Sequence, residues 1–117
     1  MIKVIFEKSE DGKTLILKVT GHANQAEVGK DIICASASIL AYTVAQIVTS
    51  MSNEKKLRKK PTIRMEEGDA CITCKPARPH YNEAYNAFCV CQVGYALLAH
   101  NYPQFVEIKM FGQGDKP

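Results

Sequence analysis

An α+β fold is predicted, a single domain over residues 1–117 with two helices packed on one mostly antiparallel sheet, in the order strand-strand-helix-strand-strand-helix-strand. Three observations predict it. Short runs of alternating apolar and polar residues come in pairs, joined by Asp11-Gly12 and by Glu67-Gly68. Each pair is followed by a long segment with helical or unbroken apolar character and a clear stop. No linker, repeat or low-complexity stretch divides the 117 residues, a length that fits one domain and can bury a core without disulfides or metal.

Ile2, Val4 and Phe6 alternate with Lys3, Ile5 and Glu7, a half-buried strand over 2–8. Asp11-Gly12 is a strong hairpin signal, because both central positions of a two-residue turn favour positive φ. Leu15, Leu17 and Val19 alternate with Ile16, Lys18 and Thr20 on the way back. Gly21 to Lys30 then loses all period, which gives a loop of about ten residues, beyond the ~4–6 usual between elements and in the range where loops tend to be functional. The first helix runs from near Asp31 to about Asn53, stopped by Asn53, the charged run 54–60 and Pro61.

Ile63 and Met65 share one face of the third strand, Glu67-Gly68 turns, and Ala70, Ile72 and Cys74 form the returning face. Pro76 and Pro79 stop the sheet. Tyr81, Ala84, Tyr85, Phe88, Cys91, Tyr95 and Leu98 recur at helical spacing, so the second helix runs from His80 or Tyr81 to about His100, before Pro103. Val106, Ile108 and Met110 make a last strand, and Gly112 to Pro117 is expected to fray.

Composition narrows function only a little. The hydrophobic fraction of 46% and charged fraction of 23% are ordinary for a globular chain. A net charge of +3 and a pI near 8.6 do not by themselves argue for nucleic acid. MIKVIF reads as a strand and not as a secretion signal, and five cysteines, an odd number, fit reduced thiols in the cytoplasm. The uncharged stretch Ile32 to Asn53 is long enough to span a bilayer. Its seven Ser, Thr and Gln residues (Ser36, Ser38, Thr43, Gln46, Thr49, Ser50, Ser52), and the lack of an aromatic belt beyond Tyr42, favour a helix buried on most sides or at a subunit contact, and no membrane partner.

The residues able to do chemistry begin with Cys34, placed in the first turn of helix one, where free N–H groups and the helix dipole favour an anion. A dipole contribution of about 0.3–2 kcal/mol prepares a thiolate without making it dominant, so a cationic partner is needed. His22, at the end of the second strand, is the candidate imidazole. The nine residues to Asp31 permit contact without compelling it. His80 and His100 flank the second helix and read as helix-end residues.

Cys71-x-x-Cys74 and Cys89-x-Cys91 suggest zinc. Residues three apart on a strand face opposite ways, and residues two apart on a helix diverge by roughly 200°, so neither pair converges and no metal or cofactor is expected. The run Lys55, Lys56, Arg58, Lys59 and Lys60 is either a solvated connector or a contact for RNA or an acidic partner. The second option defines a rival function, a non-catalytic RNA-associated binding module.

The segment from Gly21-His22-Ala23 through Gly29-Lys30-Asp31-Ile32-Ile33-Cys34-Ala35 to Ser36 and Ser38 resembles the ribosomal-processing cysteine protease family, whose pattern is Gly-His-Ala, a variable loop, Gly-x-Asp-Ile-x-Cys-Ala and a Ser. The resemblance implies a cytoplasmic bacterial endopeptidase, commonly dimeric, that removes the N-terminal extension of large-subunit ribosomal protein twenty-seven and so supports ribosome assembly. It implies Cys34 as nucleophile and His22 as general base and acid, which agrees with the roles the residue types allow. Asp31 is read either as the helix N-cap or as a third member orienting His22, and Ser38, one turn beyond Cys34, either lines the site or eases helix packing. The loop between Gly21 and Gly29 is expected to close over substrate.

Overall fold

The computed structural model describes residues 1–22 and 30–113, with Lys30 and Asp31 described by backbone alone. The expected order of elements is observed: β1 (Ile2–Lys8), β2 (Leu15–Thr20), α1 (Lys30–Asn53), β3 (Thr62–Glu66), β4 (Asp69–Cys74), a 3-10 turn (Arg78–His80), α2 (Tyr81–Asn101) and β5 (Val106–Lys109). The five strands form one sheet in the order β3-β4-β2-β1-β5. Among the described residues only β1 and β5 pair in parallel, across the crossover that α2 supplies. β2 and β4 pair antiparallel, with Leu15 opposite Cys74 and Thr20 opposite Asp69, which joins the two hairpins.

The alternation that marks the strands decides which face is covered. Ile2, Val4 and Phe6 of β1, Leu15 and Leu17 of β2, and Ala70, Ile72 and Cys74 of β4 are all buried on one face. Against them α1 presents Ile33, Ala37, Val44, Val48 and Met51, and α2 presents Ala84, Phe88, Cys91, Tyr95 and Leu98. Full burial of such a side chain is worth about 1.5–3 kcal/mol, so this layer dominates stability. Tyr95 fills the centre, edge-on to Phe6 at 5.8 Å, and its hydroxyl donates to the Ala37 carbonyl at 2.7 Å. A Cβ at Gly94 would stand 2.8 Å from Leu40 Cδ2, so the missing side chain sets how closely the helices cross. By length and composition Ile32–Asn53 is long and apolar enough to cross a membrane, yet its inward stripe is occupied by the sheet and α2.

Three local expectations are corrected. The first turn is not a two-residue turn with two positive φ values: residues 9–14 form it, and only Gly12 (φ 74) is left-handed. The Asp11 carboxylate accepts from Ser9 Oγ at 2.6 Å and from the Lys13 N–H at 2.9 Å, and these bonds stabilise the wider loop. α1 begins at Lys30, so Asp31 lies within its first turn instead of ahead of it, and Cys34 is its fifth residue. β5 ends at Lys109, one short of Met110. The charged connector leaves Lys55, Arg58, Lys59 and Lys60 exposed, as a solvated link does, and a few contacts anchor it. Lys55 takes a left-handed φ of 61 as α1 ends, and the Lys56 N–H bonds back to the Met51 carbonyl. The Lys56 ammonium pairs with both Glu54 and Glu83 at 3.0 Å, while the Arg58 N–H reaches the Lys75 carbonyl at 2.8 Å. The expected loop closure concerns residues 23–29, and the expected frayed tail includes 114–117; both stretches lie outside the described residues.

Candidate active site

Past Thr20 the chain must leave the sheet, and Gly21 does so with a left-handed φ of 94. The Gly21 N–H donates to the Gly68 carbonyl at 2.9 Å, which extends the β2–β4 pairing by one step and brings the β3–β4 turn beside His22. The Met1 ammonium donates to the His22 carbonyl at 2.7 Å and fixes the backbone from the other side. The imidazole then lies directly on Gly68, itself left-handed at φ 73. A Cβ on Gly68 would overlap His22 Nε2 and stand 2.7 Å from Cε1, so glycine is required there twice, for its backbone and for the ring.

Cys34 is half-buried and packs against the edge of the core. As the fifth helical residue it falls beyond the four whose N–H groups a helix leaves without partners, and the dipole effect fades within the first turn. The helix end therefore helps this thiol less than its expected first-turn position implied. An imidazole partner matters correspondingly more.

His22 and Cys34 line the same open cleft of about 540 Å³. Ile2, Val19, Ala37, Ala41 and Ala70 give it an apolar floor, with Ser38 and Tyr42 on the α1 side. The opposite wall is the β3–β4 turn, Met65 to Asp69. Asp69 is held by Arg64 in a two-pronged pair at 3.0 and 3.2 Å, whereas Glu66 and Glu67 stand exposed on the rim. The structure thus brings together His22, Cys34 and Ser38, and the Asp31 side chain lies outside the described residues. His80 and His100 do not line the cleft; His80 Nδ1 sits 3.7 Å from Glu83 Oε1.

The other cysteines are in different surroundings. Cys74 faces the core and Cys71 the opposite surface of β4, so the two point apart. Burial pushes the Cys74 thiol up to about 11 and raises Cys91 as well, which keeps both protonated and unreactive. Among the described residues no group of three or more His, Cys, Asp or Glu is placed to hold a metal ion.

The sequence did not reveal the wall opposite Cys34. Glu66 and Glu67 enter the cleft only because β4 lies next to β2, a pairing between strands far apart in the chain. The turn at Glu67-Gly68 was visible, but its neighbour was not.

A two-layer α+β domain here carries a thiol and an imidazole on the walls of one cleft, the residue types that cysteine-dependent hydrolysis uses. Comparison with known families narrows this. The model described as cysteine protease Prp matches residues 1–107, and the chain belongs to that family. Solved structures share the fold. The essential ribosomal processing protease Prp from S. aureus, in complex with a substrate peptide, superposes with a TM-score of 0.66 at 21% identity, covering 94% of this chain and 99% of that one. The same protease with a covalently linked product peptide gives 0.65 at 22%, covering 95% and 99%. A Streptococcus mutans protein gives 0.64 at 24%, covering 95% of each chain. Among curated proteins none matches.

Proposed function

We propose that this protein is a cytoplasmic cysteine endopeptidase that removes the N-terminal extension of bacterial large-subunit ribosomal protein twenty-seven. The observation that carries the reading is the placement of Cys34 and His22 on one cleft, in a chain of the cysteine protease Prp family. The S. aureus relative's complex with a substrate peptide supports a peptide as occupant. Five free thiols suit a reducing compartment.

In this reading Cys34 Sγ attacks the scissile carbonyl as the His22 imidazole takes its proton. The imidazolium returns that proton to the departing amine, and water then hydrolyses the thioester with His22 again as base. The oxyanion is held by N–H groups at the start of α1 that lack intrahelical partners. Ser38 lines the path of the substrate, and Asp31 acts through the helix start or through His22. The protein works as a homodimer whose contact uses the outward apolar side chains of the helices, Ile32, Ile39 and Tyr42 of α1 and Val90, Val93 and Leu97 of α2. The run Lys55 to Lys60 meets ribosomal RNA.

The test is incubation with a peptide carrying the extension, with the products read by mass spectrometry. Wild type cuts the peptide once, and Cys34→Ala and His22→Ala each leave it whole while retaining native circular dichroism. An intact peptide with wild type, bound in a salt-sensitive manner indifferent to both substitutions, would instead identify a binding module.

A further inference from the structure

The far end of the sheet carries a second cavity. β2 starts at Leu15 and ends at Thr20; the peptide cleft lies beyond Thr20, and this cavity lies ahead of Leu15, about 20 Å away at ~3.3 Å per residue. It measures about 330 Å³ and is lined by Gly12, Lys13, Arg58, Pro76, Arg78 and Tyr81. Three cations converge on it, and no Asp or Glu among the described residues joins the lining. Of the acids nearby, Asp11 accepts from Ser9 and from the Lys13 N–H at the cavity's edge, and Glu83 holds Lys56. Of the basic run that follows α1, only Arg58 enters the cavity, since Lys56 is tied to Glu54 and Glu83.

Three different segments, the β1–β2 turn, the α1–β3 connection and the 3-10 turn, bring these charges together. Backbone bonds hold two of them in place, Arg58 N–H to Lys75 and Ala77 N–H to the Lys56 carbonyl, both at 2.8 Å. Gly12, Pro76 and one aromatic, Tyr81, complete the lining, and the Tyr81 ring is held by stacking on Tyr85, which lies outside it, at 6.1 Å with 12° between the rings. Guanidinium forks match phosphate oxygens, and a flat aromatic beside them offers a base a stacking surface. An acidic peptide would use the charges and leave Tyr81 idle.

We propose that this cavity binds single-stranded RNA, with Lys13, Arg58 and Arg78 on successive phosphates and Tyr81 under a base. The proposal deepens the RNA contact suggested for the basic run by giving it a shaped site, and it is independent of the peptidase chemistry. The test is fluorescence anisotropy of the full chain with a labelled oligouridylate of about 12 nucleotides, between roughly 50 and 200 mM salt. Arg58→Gln with Arg78→Gln should weaken binding at least about tenfold and lower the salt slope by about 1.4, at ~0.7 per phosphate. Tyr81→Leu should weaken binding severalfold with the slope unchanged. Absence of binding by wild type at low salt would overturn the proposal. So would an equal loss from Lys55→Gln with Lys59→Gln, which lie outside the cavity, or equal displacement by polyglutamate. Should the double variant misfold, Lys13→Gln alone carries the same comparison, with a slope change of about 0.7. Peptide cleavage by the double variant stays at the wild-type rate, so failure here would leave the peptidase reading standing.

Discussion

Gly68→Ala tests whether the position of His22 matters to catalysis, and Gly12→Ala supplies its control. Both glycines are left-handed, at φ 73 and φ 74, so an alanine at either costs about 1–2 kcal/mol of backbone strain. For a domain of this size that lowers Tm by about 4 °C per kcal/mol. They differ in surroundings. A Cβ at Gly12 meets nothing within 4 Å, while one at Gly68 meets the His22 ring, with Cε1 at 2.7 Å against the 3.4 Å where ordinary contact begins. The ring must therefore retreat by roughly 0.7 Å or more, and displacement of a catalytic group by about 1 Å can cost on the order of 100-fold. The expected outcome is a similar fall in Tm for both variants, with kcat/KM for the extension peptide reduced at least about tenfold only in Gly68→Ala. Calorimetry and a continuous peptide assay read the two quantities. If Gly68→Ala cuts peptide as fast as Gly12→Ala, the observed seat of His22 is not its working position.

Other expectations follow from single contacts. Tyr95→Phe removes the hydroxyl that donates to the Ala37 carbonyl and should lower stability by about 1–2 kcal/mol in urea unfolding, with little change in activity. Lys55→Gly relieves a left-handed residue at the end of α1 and should raise stability by about 0.5–1 kcal/mol, seen as a higher Tm. The Cys74 thiol rises from 9.0 to about 11 on folding, so the native state holds its proton more tightly; stability should be steady below about 9 and fall as pH climbs toward 11, a decline that Cys74→Ala flattens. Replacing Glu66 and Glu67 by Lys reverses the charge on the rim and should raise KM for a peptide with basic residues more than for a neutral one, with kcat changed little.

Much of this was legible in the sequence because one face of the sheet is buried. That burial forces the alternation of Ile2, Val4 and Phe6 and of Ala70, Ile72 and Cys74, and the helical recurrence from Tyr81 to Leu98. The details that escaped reading depend on contacts between distant segments. Asp11-Gly12 looked like a two-residue turn because the bonds from Ser9 and Lys13 to the Asp11 carboxylate are not encoded in the dipeptide. The helix start near Asp31 was legible, but its first residue is Lys30, which makes Cys34 the fifth helical residue and weakens the electrostatic argument for it. The motif located the thiol and the imidazole, but the wall facing them came from the β2–β4 pairing, which no local pattern specifies.

The central claim, that Cys34 is the nucleophile and His22 activates it, is tested most directly by covalent labelling with a chloromethyl ketone built on the extension peptide. Peptide mapping of the labelled protein should find a single adduct on Cys34, formed at least about 100-fold more slowly in His22→Ala. An adduct on Cys71 or Cys89, or an unchanged rate at Cys34 without His22, would contradict it.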